Sequence, residues 1–153
     1  MNRRWIDPEI FHCIVKYTPL VSIDIIVENE EAKFLLGLRK NRPAKDFWFV
    51  PGGRIFKGEK LSEAFKRISK DELGIELNIK DAKFLGVFEH FYEDNYFGTD
   101  TGTHYIVNAY KVKVKNMDIK PDCQHKEYRW FSREEILKNE KVHPYCKVYF
   151  EIT

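Results

Sequence analysis

Short apolar runs separated by polar residues predict β-strands along most of the chain. Two of them, "LVSIDIIV" at 20–27 and "FLLGL" at 34–38, flank the polar "ENEEAK" and are typical of a β-hairpin. Further strand-like runs occupy 47–50, 83–92, 104–114 and 128–131. The first of these four is followed by "PGG", a combination that ends strands.

Two segments have the pattern of an amphipathic helix. Apolar residues recur at helical spacing from Leu61 to Ile68, and Gly74 is placed to end this helix. "SREEILKN" at 132–139 begins with a serine followed three residues later by a glutamate, which is a capping box. Because helices and strands interleave and no repeat interrupts them, the chain is expected to form one domain over residues 1–153.

One acidic residue, Glu72, falls on the apolar face of the first predicted helix. At about 100° per residue, four apolar residues lie within a third of the circumference, Leu61, Ala64, Phe65 and Ile68. Glu72 projects between the first and third of them. A buried, ionised carboxylate costs several kcal/mol unless it is paired or binds a metal. Periodicity alone leaves three interpretations open: Glu72 turns outward at the helix end, meets an arginine, or holds a metal.

Composition favours one compact domain with a small-molecule partner. The 153 residues match the commonest domain size, and 26 Lys and Arg against 24 Asp and Glu leave a formal charge of +2. This small, dispersed charge does not indicate a nucleic-acid surface. No run approaches the ~18 apolar residues of a membrane span. Asp7, Pro8 and Glu9 interrupt the amino-terminal segment where a signal peptide would be apolar.

The three cysteines, Cys13, Cys123 and Cys146, include no CxxC pair. Their odd number and spacing argue against a disulfide framework and against a zinc knuckle, so a reducing cytoplasm is the simplest context. We therefore expect a soluble, cytoplasmic protein without nucleic-acid or membrane partners.

The spacing of Gly53, Glu59 and Arg67, followed by "DELGI" at 71–75, resembles the Nudix box. That box has a glycine, then a glutamate, then an arginine, a run of glutamates and a closing glycine. The resemblance implies an α/β fold of the α+β type, with a mixed β-sheet in an α/β/α sandwich. It also implies hydrolysis of a nucleoside diphosphate linked to another group, with Mg2+ or Mn2+ as the cofactor.

The chain departs from the box directly after Arg67, where the family has a glutamate and this sequence has Ile68. In ordinary pyrophosphatase members that glutamate binds a metal or supports a metal ligand. The variant box resembles the GDP-mannose mannosyl hydrolase branch, and so do "TPLVSIDIIVEN", "FWFVPGGR" and "DCQHKEYRW", over about Thr18 to Trp130. That branch implies water attack at the anomeric carbon of the sugar, with inversion and departure of intact GDP.

The resemblance to this branch also implies a metal site and a base. It assigns the metal to Glu72, the carbonyl of Gly52 and Gln124, an oxygen set suited to Mg2+. His125 is the candidate general base, since its imidazole can take a proton from water near neutral pH; the alternative is an exposed loop histidine. Cys123 with His125 would make an incomplete zinc site, which argues against a soft metal.

Five further residues are implied to contact the substrate. Arg39 and Arg54 would face the diphosphate, although arginines are more often solvated surface groups. Asp24 would position a sugar hydroxyl and Arg54, or else lie on a solvated strand face. Tyr105 would donate to a phosphate oxygen, or else be a core aromatic. His90 would line the pocket.

The expected partner is therefore a small-molecule nucleotide sugar, and the branch implies a homodimer to which residues 3–15 could contribute. Two alternatives remain open. Asp71, with Glu59 and Glu72, could gather enough metal for attack at phosphorus, giving a nucleoside monophosphate and a sugar phosphate. The chain could instead be a non-catalytic sensor of a nucleotide sugar. The sequence does not choose among mannose, glucose and fucose.

Overall fold

The computed structural model describes residues 5–121 and 126–152. Within these described residues, four α-helices and seven strands follow one another: α1 Pro8–Tyr17, β1 Leu20–Glu28, β2 Lys33–Leu38, β3 Trp48–Phe49, β4 Gly52–Arg54, α2 Leu61–Leu73, β5 Lys83–Tyr92, β6 Thr103–Lys113, β7 Glu127–Ser132, α3 Arg133–Lys138 and α4 Pro144–Glu151. All six predicted strands and both predicted helices are present. None of the described helices is long and apolar enough to cross a membrane.

The strands form one mixed sheet centred on β1. β1 runs parallel to β6, from Leu20 opposite Tyr105 to Glu28 opposite Lys113, and antiparallel to β4 and β2. Outside these, β5 pairs with β6, and β2 pairs with both β3 and β7, all antiparallel. The predicted mixed sheet with flanking helices is confirmed.

Strand β1 is buried on both faces, and the alternation of its side chains decides on which face Asp24 lies. Ile23 and Ile25 pack with the apolar face of α2. Ile26 packs on the other face with residues of α3 and α4. Successive side chains of a strand point to opposite faces, so Asp24 shares the face of Ile26. Asp24 is only 8% exposed, and the solvated-face alternative for it is wrong.

Helix α2 has the predicted apolar face, with one correction at its first residue. Ala64, Phe65 and Ile68 are buried against the sheet, but Leu61 is 44% exposed because it begins the helix, beyond the edge of the core. Gly74 ends the helix with a φ of 75°, and a Cβ there would collide with the carbonyl of Lys120. A glycine is therefore required at this position.

Helices α1 and α4 have no counterpart in the sequence-based prediction. α1 begins at Pro8 after Asp7, whose carboxylate accepts a hydrogen bond from the backbone of Glu9 at 3.0 Å. α4 begins at Pro144 after His143, whose ring nitrogen accepts from the backbone of Tyr145 at 3.1 Å. Proline fits the first helical turn because it has no N–H to satisfy there. The residues that interrupt a signal-peptide pattern at the amino terminus thus start a helix.

Candidate active site

One pocket lies where β1, β4, β5 and β6 meet the segment that follows β2. Six residues predicted for the site line it: Asp24, Arg39, Gly52, Arg54, His90 and Tyr105. The pairing of β1 with β4 and β6 brings them together from distant parts of the chain. Their roles in catalysis and binding remain predictions.

Asp24 is held by a residue of the last helix. The hydroxyl of Tyr149 donates to its Oδ2 at 2.6 Å. Burial raises the pKa of Asp24 to about 7, although the Tyr149 hydrogen bond and the charge of Arg39 act in the opposite direction. A Cβ at Gly52, the partner of Asp24 on β4, would collide with Oδ1 of this carboxylate. Only glycine lets the two strands approach in this way.

The cationic part of the pocket is formed by Arg39 and Arg54. Arg39 donates from Nε to the carbonyl of Pro43 at 2.7 Å, which fixes one edge of its guanidinium group. Arg54 lies between two aromatic rings, with its guanidinium carbon 5.0 Å from the ring centre of Phe11 and 4.8 Å from that of Phe56. Burial also lowers the pKa of Arg54, but an arginine remains charged at neutral pH.

Tyr105 adds a neutral donor beside these two arginines. Burial raises the pKa of its hydroxyl above the ordinary value, although the charges of Arg39 and Arg54 oppose this shift. The hydroxyl therefore keeps its proton at neutral pH. Two planar guanidinium groups and one hydroxyl form a donor set that suits phosphate oxygens.

Arg67 on α2 holds the loop that follows Arg54. It donates from Nε and Nη2 to the carboxylate of Glu59 at 2.8 and 3.0 Å, and from Nη2 to the backbone carbonyl of Arg54 at 2.8 Å. The same carboxylate accepts from the backbone of Phe56 at 2.7 Å. Asp71 lies 3.9 Å from Nη1 of Arg67. The box residues Glu59 and Arg67 thus form an ion pair behind the pocket loop, and neither of them lines the pocket.

Glu72 lies at the pocket edge and is paired. Its carboxylate is 3.3 Å from Nζ of Lys126 and accepts a hydrogen bond from the hydroxyl of Tyr128. The side chain is 17% exposed and its ionic partner is a lysine. Two of the three interpretations are therefore wrong, namely that Glu72 turns outward and that it meets an arginine. Glu72 does not line the pocket itself, but Lys126 does.

The donors available to a metal are oxygen atoms. Within residues 5–121 and 126–152, no group of three or more His, Cys, Asp and Glu side chains is arranged to hold an ion. The predicted ligands Glu72 and Gly52 supply one carboxylate and one backbone carbonyl, which fit a hard cation such as Mg2+ whose remaining ligands are water and substrate oxygens. Gln124, the third predicted ligand, and His125, the predicted base, lie outside the described residues, as does Cys123.

Ile68 occupies the position at which the ordinary box has a glutamate, and its side chain is core. It is 2% exposed and packs with Ile23, Ile25 and Phe65. A Cβ at Gly53 would lie 3.1 Å from Ile68 Cγ1, so the side chain of Ile68 fills the space directly behind Gly53 in β4. The part of α2 that contacts Gly53 is therefore apolar.

His90 is a buried, neutral member of the pocket. Its ring is 4% exposed and stacks on Tyr145, with centres 4.5 Å apart and planes 1° from parallel. Burial lowers the pKa of His90 to about 4, and the neighbouring His143 acts in the same direction. The hydroxyl of Tyr149 lies 3.4 Å from its Nε2.

Sequence reasoning missed three residues at this site, Lys126, Tyr128 and Tyr149. Lys126 follows the predicted His125 directly and Tyr128 comes two residues later, and that proximity was a usable signal. Tyr149 stands 125 positions from Asp24 in a helix that the pattern did not predict. No local signal connects these two residues, because their contact depends on how α4 packs on the sheet.

Comparisons with known proteins show the family and the fold of this chain. A model of the NUDIX domain family matches residues 18–150. The low-salt glycan biosynthesis protein Agl8 of Haloferax volcanii is 36% identical over 146 residues, which is 95% of this chain and 89% of that protein. The ADP-ribose pyrophosphatase of Methanocaldococcus jannaschii is 40% identical over 70 residues, 46% of this chain and 40% of that protein.

Solved structures share the fold over most of the chain. The MutT protein of Methanosarcina mazei Go1 has a TM-score of 0.69 and 26% identity, covering 88% of this chain and 93% of its own. The MutT NUDIX hydrolase of Burkholderia pseudomallei has a TM-score of 0.73 and 22% identity, covering 89% and 98%. From the matched family domain and the relative aligned along nearly the whole chain, we conclude that this protein belongs to the Nudix hydrolase family.

Proposed function

We propose that this protein hydrolyses GDP-mannose, or a similar GDP-hexose, to GDP and the free sugar by water attack at the anomeric carbon with inversion. The observation that carries this proposal is the buried Ile68. It packs directly behind Gly53, so this part of α2 has an apolar side chain where the ordinary box has a glutamate. Attack at phosphorus would need more metal charge at that place. Attack at carbon needs only a leaving group whose charge is stabilised.

The pocket contains the groups that such a leaving group requires. Arg39, Arg54 and Tyr105 line it together, and donors of this kind stabilise the negative charge that builds on a departing diphosphate. Lys126 adds a further positive charge at the pocket edge. A Mg2+ ion bound by Glu72, Gly52 and Gln124, with Mn2+ as a substitute, would neutralise diphosphate charge in the same way.

Two side chains are proposed to act on the water and the sugar. His125 would accept the proton of the attacking water, because a neutral imidazole is a suitable base near pH 7. Asp24 would accept a hydrogen bond from a sugar hydroxyl in the pocket that it lines. The name of the Haloferax volcanii relative refers to glycan biosynthesis, which is consistent with a substrate that is an activated sugar. The predicted homodimer and cytoplasmic location also remain proposals.

The competing reaction is cleavage at phosphorus, which releases a nucleoside monophosphate and a sugar phosphate. It is favoured by the similarity of 70 residues to an ADP-ribose pyrophosphatase. Two observations argue against this reaction. The carboxylate of the box residue Glu59 is hydrogen-bonded to Arg67, and Asp71 is 42% exposed and lies beside the same arginine. These acids therefore do not gather around Glu72.

Product analysis in oxygen-18 water distinguishes the two reactions. Carbon attack gives GDP without label, whereas attack at phosphorus puts label into GDP or yields GMP. The label is read in the nucleotide because the anomeric oxygen of a free sugar exchanges with water. A panel of GDP and UDP sugars and ADP-ribose should be tested in parallel. Labelled GDP, or GMP, would overturn the proposal.

The base is tested by replacing His125 with glutamine. We expect turnover to fall by about a hundredfold or more, in the range typical of a lost general base, while metal binding is kept. His104→Gln is the matched control, because His104 stacks on Phe91 and does not line the pocket. Equal rates for the two variants would remove His125 from the mechanism.

A further inference from the structure

The guanidinium group of Arg54 lies over two aromatic rings that come from different parts of the chain. Its central carbon is 5.0 Å from the ring centre of Phe11 on α1 and 4.8 Å from that of Phe56, in the loop between β4 and α2. Both phenylalanines are half-buried. Phe56 is also contacted by Arg67, whose guanidinium carbon is 3.7 Å from the ring centre. Arg54 is therefore held by the first helix as well as by its own loop.

This mode of contact leaves the hydrogen-bond donors of Arg54 available. A guanidinium group is planar, and its N–H donors point outward in that plane, whereas a stacked aromatic ring contacts its face. Within residues 5–121 and 126–152, the Arg54 side chain has no ion pair and donates no hydrogen bond. Arg39, in contrast, donates from Nε to the carbonyl of Pro43. Arg54 thus lines the pocket as a cation that lacks an anionic partner among the described residues.

We propose that Phe11 is a positioning residue which, together with Phe56, holds Arg54 by the faces of its guanidinium group and so offers its in-plane donors to phosphate oxygens of the ligand. This inference rests on the proposed function in one respect, namely that the anion is the diphosphate of a nucleotide sugar. Helix α1 is then a working part of the binding site, although Phe11 itself does not line the pocket.

The position of Phe11 is fixed by the loop between β5 and β6. The ring of Phe97 packs edge-on against Phe11 and His12, with centres 6.1 and 5.3 Å apart. Nε2 of His12 lies 2.8 Å from Oδ2 of Asp100 in the same loop. Val15, one turn further along α1, is buried. The helix is therefore fastened at the turn that carries Phe11, which is what a positioning role requires.

Two substitutions separate this role from ordinary apolar packing. Phe11→Leu keeps a large apolar side chain but removes the ring that faces the cation, and Phe11→Tyr keeps the ring. If Phe11 only anchors α1, leucine should serve almost as well as tyrosine. Tyr17→Leu is the matched control, because it removes an exposed aromatic ring from the same helix.

The contact with Arg54 can be measured without any ligand. Protons above the face of an aromatic ring resonate upfield, so the δ-methylene protons of Arg54 report the stacked rings in 1H–13C spectra of arginine-labelled protein. Arg54→Lys identifies the signal. We expect an upfield signal in the wild type, in Phe11→Tyr and in Tyr17→Leu, and a downfield displacement in Phe11→Leu. A signal at the ordinary arginine position in the wild type, or an unchanged signal in Phe11→Leu, would overturn the proposal.

Binding of inorganic pyrophosphate then tests what this contact does. Calorimetric titration in buffer without divalent metal measures the donors of the chain itself. Loss of one cation–π contact corresponds to about threefold to thirtyfold weaker binding in Phe11→Leu. Phe11→Tyr and Tyr17→Leu should stay within about twofold of the wild type. No binding by the wild type, or an equal loss in Phe11→Leu and either of the other two variants, would contradict the proposal.

The outcome is independent of the reaction catalysed, because pyrophosphate has neither nucleoside nor sugar. If GDP-mannose is not hydrolysed while Phe11→Leu alone weakens pyrophosphate binding, the proposed function falls and the role of Phe11 stands. If GDP and sugar are the products while Phe11→Leu binds pyrophosphate as the wild type does, only the role of Phe11 is lost.

Discussion

Replacing Arg67 with alanine is expected to destabilise the protein and slow its turnover together. Arg67 makes two hydrogen bonds to Glu59 and one to the backbone of Arg54, and it packs over Phe56 with its guanidinium carbon 3.7 Å from the ring centre. The loop from 54 to 59 is thereby fastened to α2. Removal of the guanidinium group takes both Arg67 hydrogen bonds from the carboxylate of Glu59, which is 6% exposed.

The magnitude follows from this burial. Breaking a buried ion pair by removing one partner costs about 3–5 kcal/mol, whereas an exposed pair contributes less than about 1 kcal/mol. Because the side chain of Arg67 is 22% exposed, we expect a loss of about 3 kcal/mol in the free energy of unfolding. With a urea slope of about 1–3 kcal/mol per M, the unfolding midpoint should fall by roughly 1–3 M. Turnover should fall at least about tenfold, because Arg54 loses its fixed position.

Urea unfolding and steady-state kinetics of the same preparations measure both effects. The matched control is Lys138→Ala, which breaks a 2.7 Å ion pair to Glu134 between two side chains that are each 75% exposed. Glu59→Gln combined with Arg67→Ala should recover part of the loss, because the double variant leaves no unpaired charge. A change in Arg67→Ala no larger than that in Lys138→Ala would refute this account of the loop.

Three further predictions concern the pocket. Gly52→Ala should lower stability by about 1–3 kcal/mol and abolish most turnover, because its Cβ collides with Asp24. Gly53→Ala should be milder, because its nearest neighbours are side-chain carbons of Ile68, and the reverse order would contradict the stated packing. Glu72→Gln should raise the Mg2+ concentration for half-maximal activity about tenfold or more, and an unchanged value would remove Glu72 as a ligand. The folded-state pKa of His90, near 4, lies below the ordinary 6.5. The contribution of the neutral ring to the free energy of unfolding is therefore complete above pH 6.5 and is lost as the pH falls toward 4. The stability difference between wild type and His90→Gln should therefore shrink by about 3 kcal/mol over that window, and a constant difference would refute a buried neutral ring.

Local pattern was sufficient to predict most of the sheet and the helix that carries the box. The strands are apolar runs bounded by turn residues, and the end of α2 is set by Gly74, so these features depend on neighbours in the sequence. Leu61 was expected to be buried because helical periodicity gives the face but not the point at which the core stops. Helix α1 was missed because Asp7 and Pro8 were considered only as breaks in a signal peptide.

The pocket residues were predictable as residue types, while the contacts that hold them were not. Arg39, Arg54 and Tyr105 came from the family resemblance, and the structure brings them to one pocket. The pairing of Asp24 with Tyr149 could not be predicted, because it depends on the packing of α4 against the face of β1 that Asp24 shares with Ile26. Long-range contacts of this kind leave no periodic trace in the sequence.

The two faces of β1 explain why this site can combine groups of opposite character. Odd-numbered residues such as Ile23 and Ile25 pack on the apolar face of α2, the helix that carries Glu72. The even-numbered Asp24 faces α4, where Tyr149 directs a proton to it. The helix that carries the predicted metal ligand Glu72 thus packs on the face of β1 opposite Asp24, and Lys126 connects Glu72 to the pocket edge. Because Arg39 and Arg54 line the same pocket as Asp24, the pocket combines cationic donors with an acidic side chain, which is consistent with the proposed nucleoside diphosphate sugar as the ligand.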